Sequence, residues 1–117
     1  MALQSYRLRR ENRLGERKRI KEILETGTRY NSNLFSFSFS LKESSPVRLT
    51  VISPKRLGIA VFRNKLRRRI REVFRLSLPD YIGFFDIIIF PRKEVFNCNF
   101  KELTSEYKQC LHSFNLL

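Results

Sequence analysis

The chain has 117 residues, enough for one modest core and too few for a catalytic domain with a separate substrate domain. Its 24 Lys and Arg against 11 Asp and Glu give a formal net charge of +13, which calls for a polyanionic partner, nucleic acid first. A hydrophobic share of 42% with eleven Phe excludes a basic disordered tail, which would lack the apolar residues to fold.

In chain order, residues 1–13 read as a flexible basic arm ahead of a single domain spanning 1–117. Ile20, Ile23 and Leu24 then recur at helical spacing, with Gly15 as N-cap and Gly27 at C′, so a short first helix is predicted. Over residues 34–41, Phe35, Phe37 and Phe39 alternate with Ser36, Ser38 and Ser40, the period of a strand with one face in the core and one toward solvent or ligand. Val47, Leu49 and Val51, alternating with Arg48 and Thr50, predict a second strand, paired antiparallel with the first as a hairpin. Beyond Pro54 and Gly58, Leu66, Ile70, Val73 and Phe74 place a second helix through about Leu78, stopped by Pro79 and Gly83. Residues 86–90 read as a buried strand. A last helix begins at Asn99, with Glu102 completing a capping box, and carries Leu103, Tyr107, Leu111 and Phe114.

Charge is distributed unevenly along this order. Residues 1–75 hold 20 basic and 6 acidic side chains, a net +14, and the remainder holds 4 basic and 5 acidic, a net −1. On a helical wheel Arg63, Asn64, Arg67, Arg68, Arg71 and Arg75 share an arc of about 140° beside the apolar seam, whereas Lys65, Arg69 and Glu72 lie elsewhere. Like charges at (i, i+4) repel, and a merely solvated face would intersperse acids, so this face reads as one for nucleic acid. Guanidinium groups suit bidentate phosphate contact, and Asn64 adds a neutral donor and acceptor.

The stretch Lys55-Arg56-Leu57-Gly58-Ile59-Ala60-Val61-Phe62-Arg63-Asn64-Lys65-Leu66-Arg67-Arg68-Arg69-Ile70-Arg71-Glu72 resembles the signature of the bacterial ribonuclease P protein component, whose basic helix carries the RNR motif. The resemblance covers nearly the whole chain: a first helix ending in Gly-Thr, a Phe-rich strand, the basic helix, a strand ending Ile-Ile-Phe-Pro-Arg, and a closing helix. It implies an α+β fold of order α-β-β-β-α-β-α, with a four-stranded mixed sheet and a left-handed β-α-β crossover. The extra short strand would then fall near residues 29–31 or 54–56.

The resemblance further implies the non-catalytic protein subunit of an endoribonuclease. In that family the partner RNA carries the active site and its magnesium ions, and cleaves precursor tRNA to release the 5′ leader. The protein itself would bind no cofactor and need no protein partner. By motif position the RNA-docking residues are Lys55, Arg56, Arg63, Asn64, Lys65, Arg67, Arg68 and Arg71. A leader-binding cleft would draw on Arg13, Arg17, Ile20, Lys21, Leu24, Ser36 and Ser38. Three departures stand out. Lys65 replaces an arginine of the motif, Ile59 replaces a polar residue, and Ile20, Leu24 and Ser38 stand where the family has aromatics, so base stacking in this cleft should be weaker. Ordinary core packing of Ile20 and Leu24 is the competing reading.

The remaining chemistry-bearing residues are sparse. Cys98 and Cys110 are too few for a disulfide scaffold or a zinc module, which suits a reduced compartment. Residues 1–10 lack a signal-like apolar core, and the longest apolar stretch, residues 81–90, is short and interrupted by Asp86, so a cytoplasmic chain without a membrane span is expected. The lone His112 and the two Asp, Asp80 and Asp86, offer no catalytic constellation or two-metal site. The alternating Phe residues fit core packing better than base-stacking platforms. A structural RNA binder of the ribosomal-protein kind is the alternative function. A helix-turn-helix DNA reader is disfavoured because no short two-helix turn precedes the basic helix.

Overall fold

A computed structural model describes residues 8–117. Three helices and four strands alternate as α1 (Arg17–Thr26), β1 (Thr28–Asn31), β2 (Phe35–Lys42), β3 (Arg48–Val51), α2 (Ala60–Leu76), β4 (Phe84–Pro91) and α3 (Phe100–Ser113). The order is the expected α-β-β-β-α-β-α, and the short extra strand is β1; Lys55–Leu57 forms a turn of 3₁₀ helix instead.

The strands form one mixed sheet in the order β1-β2-β4-β3. β1 and β4 both run antiparallel to β2, and β3 runs parallel to β4. The expected β2–β3 hairpin is therefore wrong. β4 inserts between the two strands, placing Ile87 opposite Phe39 on one side and Leu49 on the other. The physical reason is burial: Asp86 apart, β4 is apolar from Phe84 to Pro91 and gains most from the centre of the sheet, a position local turn signals cannot reveal. β3, α2 and β4 thus make a β-α-β unit of two neighbouring parallel strands.

One sheet face carries Phe35, Phe37, Phe39, Leu49, Val51, Phe85, Ile87 and Ile89, covered by α2 through Leu66, Ile70, Val73 and Phe74 and by α3 through Leu103, Tyr107 and Leu111. The helical spacing of those residues is what lets each helix lay a continuous stripe on the pleat. Tyr107, fully buried, meets the Tyr81 hydroxyl at 2.6 Å, and Tyr81 donates to the Phe74 carbonyl at 3.0 Å, so the largest core side chain satisfies its one polar atom. The alternating Phe residues are core, as the sequence suggested.

The serine face of β2 does not meet solvent. Ser36 and Ser38 are buried, and Leu14, Ile23 and Ile88 form a second, smaller core there with Ile20, Ile52 and Phe90 packed against it. α1 covers this face because serines are small enough to let a helix approach. Gly27 shows how close that approach is: a Cβ there would stand 2.5 Å from the Ile23 carbonyl oxygen and 2.7 Å from that of Phe39. Its φ of −74° is ordinary, so it serves by lacking a side chain and not by a left-handed C′ conformation. The N-cap is Glu16 instead of Gly15.

Residues 8–13 pack against the sheet instead of forming the expected loose arm; the rest of that arm, residues 1–7, lies outside the described residues. Leu8 and Asn12 are buried, Asn12 Nδ2 donates to the Val47 carbonyl at 2.8 Å, and Leu14 N donates to the Leu49 carbonyl at 2.9 Å. This strap lies along the free edge of β3 and uses hydrogen-bonding groups that a helix start does not need. At the other end of the chain, Asn99 caps α3 by accepting from Glu102 N at 2.8 Å, as the sequence indicated.

Candidate nucleic-acid interface

The basic helix is launched by Gly58. Its φ of +139° is one that side-chain-bearing residues avoid, and the Phe62 ring closes over it at 3.2 Å from where a Cβ would stand. The turn leaves Lys55 and Arg56 exposed just ahead of α2. Within α2 the seam of Leu66, Ile70, Val73 and Phe74 is buried, which forces the neighbouring arc of arginines to the rim.

On that rim Arg63 Nε donates to the Gly58 carbonyl at 3.1 Å, and Arg67 Nη1 donates to Ser53 Oγ at 2.5 Å and Nη2 to Asn64 Oδ1. Asn64 and Arg68 are exposed, and Arg71 is half-buried. None of Arg63, Arg67, Arg68 and Arg71 has a carboxylate partner among the described residues. Burial holds the Arg71 guanidinium below its ordinary range, and repulsion from Arg67 and Arg13 adds to this. Arg63 and Arg67 are held in place by neutral acceptors, and none of the four has its charge compensated by a carboxylate among the described residues, an arrangement that suits anionic groups from outside.

Lys65 is not part of this row. Its Nζ lies 4.7 Å from the centroid of Phe96, whose ring stacks on Phe62, so it faces the turn before α3. Arg69 leans the same way, donating to the Cys98 carbonyl at 2.6 Å. The motif position of Lys65 thus does not translate into a place on the arginine face, because a 100° step carries it past the seam.

The residues expected to form a leader cleft divide into two groups. Arg17 and Lys21 are exposed on α1, Leu24 is 46% exposed, Ile20 is half-buried against Ile23 and Ile88, and Ser36 and Ser38 are buried on β2. Core packing therefore describes Ile20 and not Leu24. Arg13 stands apart, bridged to Leu49 on the β3 edge and close enough to α2 to press on Arg71. On the same sheet face sequence reasoning missed Phe90, half-buried and directly opposite Ser36, and Ile52 beyond the end of β3, both packed against the small core of Leu14, Ile23 and Ile88. Their only signal was an apolar residue at the end of each strand.

Asp86 was the other residue missed. It is fully buried on β4 and accepts from Arg48 Nε and Nη2 at 2.9 Å each, Lys42 Nζ at 2.7 Å and Arg19 Nε at 2.9 Å. Burial alone would raise its pKa, but these three cations hold it at about 2. The signal was a lone carboxylate interrupting an apolar run, which has to find cations when the run is buried. Cys98 and Cys110 are free thiols, and the described residues hold no group of three His, Cys, Asp or Glu that could bind a metal. No described helix is long and apolar enough to cross a membrane.

A mixed four-stranded sheet, a strap along its parallel edge and an uncompensated arginine face define a small α+β protein of the RNA-binding class. The sequence model of the family described as Ribonuclease P matches residues 8–115, and the chain belongs to that family. Among curated relatives, the Ribonuclease P protein component of Chloroflexus aggregans is 32% identical over 94% of this chain and 82% of its own, and that of Microcystis aeruginosa is 32% identical over 91% and 92%. The solved RNase P protein of Thermotoga maritima superposes with a TM-score of 0.76 at 27% identity, covering 85% of this chain and 94% of that one. The Staphylococcus aureus RNase P protein gives 0.76 at 24% identity over 90% and 96%. The family supplies the protein subunit of ribonuclease P, the ribonucleoprotein endoribonuclease of tRNA 5′ maturation, and its partner is the RNase P RNA.

Proposed function

We propose that Lys55, Arg56, Arg63, Asn64, Arg67, Arg68 and Arg71 dock this chain on the RNase P RNA, while the groove beside α1 holds the 5′ leader of precursor tRNA. The observation that carries the docking surface is the row of α2 guanidiniums with no carboxylate partner among the described residues. Outside the complex such a row is self-repelling, and phosphate oxygens relieve the repulsion. Arg67 and Arg63 arrive pre-oriented by Ser53 and Gly58, which reduces the entropy lost on binding. Asn64 gives its carbonyl oxygen to Arg67 and keeps its amide N–H groups for a ribose or base edge.

In the groove, Arg17 and Lys21 would track the leader backbone above Ile20, Leu24, Ser36, Ser38 and Phe90. With isoleucine and leucine on the helix, Phe90 is the aromatic surface on the floor, so leader binding relies more on charge than on stacking. The magnesium ions of the reaction belong to the RNA, and this chain's residues bind and orient. A cytoplasmic location follows from work on tRNA precursors.

The test is reconstitution. Purified protein added to a bacterial RNase P RNA should stimulate precursor-tRNA cleavage at low magnesium. Tight RNA binding with no stimulation would instead support a structural RNA binder.

A further inference from the structure

α1 crosses the sheet instead of running along a strand. Its start is held at β3, where Glu16 Oε1 accepts from Arg48 Nη1 at 2.5 Å; its middle lies over β4, where Ile23 packs against Ile88; and its end meets β2, where Gly27 stands against the Phe39 carbonyl. Asp86 and Phe90 share the sheet face of Ile88, two residues to either side, about 7 Å along the strand each way. Arg19 Nε reaches Asp86 Oδ2 at 2.9 Å, so one flank of the helix looks toward Asp86 and the opposite flank toward Phe90. At about 100° per residue, Arg19 and Glu22 fall on the first flank, and Arg17, Lys21 and Leu24 on the second.

The Asp86 flank carries a closed set of ion pairs. A chain of charges leaves α1 at Glu16, passes through Arg48 to Asp86 and returns through Arg19 to Glu22, and Lys42 joins at the same carboxylate at 2.7 Å. Three cations therefore meet three carboxylates, in a protein of net charge +13. On the other flank Arg17 has no carboxylate partner among the described residues, and Lys21 has only the exposed Glu25 at 3.9 Å. Apolar contact does not fix how the helix is turned, because it is non-directional and Ile23 is the one fully buried side chain of α1. A helix of ten residues is also too short to be stable without tertiary contacts. Hydrogen-bonded ion pairs are directional, and those of Glu16 and Arg19, one turn apart, set the roll of α1 about its axis.

Resting on the leader groove proposed above, we infer that this ionic clamp sets the reach of Arg17 and Lys21 over the sheet, so that Arg19 and Asp86 are positioning residues for the 5′ leader and touch none of it. A roll of α1 that loosens one flank moves the opposite flank by the same angle. The clamp also takes up the acids Glu16 and Glu22, which leaves the Phe90 flank positive toward a phosphate backbone.

The test uses the holoenzyme, this chain reconstituted on a bacterial RNase P RNA and titrated with mature tRNA and with precursor tRNA blocked against cleavage. Arg19→Met keeps most of the side-chain stem and leaves Asp86 with Arg48 and Lys42, so the protein should stay folded, and Asp86→Asn is the second variant. Arg19→Met should weaken the leader-bearing precursor roughly two- to thirtyfold, the range for residues that act through others, with the affinities for mature tRNA and RNase P RNA unchanged. Asp86→Asn should act in the same direction, and Arg19→Lys, which keeps the charge, should recover part of the loss. Salt separates positioning from contact. Arg17→Ala, which removes a phosphate contact, should lower the slope of log affinity against log salt by about 0.7, whereas Arg19→Met should leave that slope as it is. An equal fall in slope for Arg19→Met would make Arg19 a leader contact and overturn the inference. Leader discrimination that survives Arg19→Met and Asp86→Asn but is lost in Arg17→Ala would also overturn it and leave the groove standing. Discrimination intact in all three variants would remove the groove reading itself. A parallel loss of affinity for RNase P RNA would reduce the clamp to general fold stability, and the positioning role would be dropped.

Discussion

Asp86 and Arg48 face each other across the parallel ladder of β4 and β3, and Arg48 reaches one carboxylate oxygen with Nε and the other with Nη2, both at 2.9 Å. With Arg19 from α1 and Lys42 from β2 on the same carboxylate, one residue ties the helix to three strands. Arg19 and Arg48 are in turn held by Glu22 and Glu16, and both have their pKa raised, first by the hydrogen bond to Asp86. Asp86→Asn keeps the shape and removes the charge. The cations around it are each about one-fifth exposed and can turn to water, so the loss should fall at the low end for a buried ion pair, about 3 kcal/mol by denaturant unfolding.

The same carboxylate sets a pH dependence. Its folded-state pKa of about 2 lies below the ordinary value of 3.8, so its contribution is complete above about pH 4 and lost as pH falls toward 2. The wild type should therefore lose on the order of 2 kcal/mol across that window from this group alone. Thermal unfolding of wild type and Asp86→Asn at pH 5 and pH 2.5 checks this, because the gap between the two proteins should narrow in acid.

Gly27→Ala should be destabilising despite an ordinary φ, since the added methyl meets two backbone carbonyls that cannot rotate away. A cost of about 1 to 3 kcal/mol is expected, the range for overpacking, with α1 lifted from β2. Gly15→Ala, where a Cβ meets nothing within 4 Å, is the matched control in chemical denaturation.

Docking by phosphate contacts predicts a steep salt dependence. The slope of log affinity against log salt should be large for RNase P RNA and should shrink by about 0.7 to 0.9 on removal of each contacting arginine. Arg68→Ala is the cleanest single case. Its side chain is exposed on α2, off the seam of Leu66, Ile70 and Phe74, so affinity should fall by about 1.5 to 3 kcal/mol with an unchanged circular dichroism spectrum.

The groove variants Arg17→Ala and Lys21→Ala should behave oppositely. They should leave the affinity for RNase P RNA intact and weaken precursor tRNA bearing a 5′ leader, with mature tRNA unaffected. Lys21 lies only within 3.9 Å of the exposed Glu25, a pair too weak to fold α1, so unchanged unfolding midpoints are expected alongside the binding titrations.

Much of the fold was legible along the chain, because secondary structure here follows local period. The Phe-Ser alternation, the seam of α2 and the Asn99–Glu102 cap each depend on residues a few positions apart, and the arginine arc is a consequence of the same 100° step. The family signature at residues 55–72 sits in one continuous segment and could be read directly. What tertiary structure decided was every relationship between distant segments. The hairpin expected between β2 and β3 was displaced by β4, since an apolar strand gains most from the middle of the sheet and turn chemistry carries no information about a strand still to come. The serines of β2 were buried because α1 returns over them, and Arg13 lies at the β3 edge because Asn12 and Leu14 anchor the strap there. Asp86 pairs with none of the basic residues near it in sequence, such as Arg75, Arg92 and Lys93. It found three at separations of 38, 44 and 67 because burial in a low-dielectric interior makes an unpaired carboxylate too costly to leave.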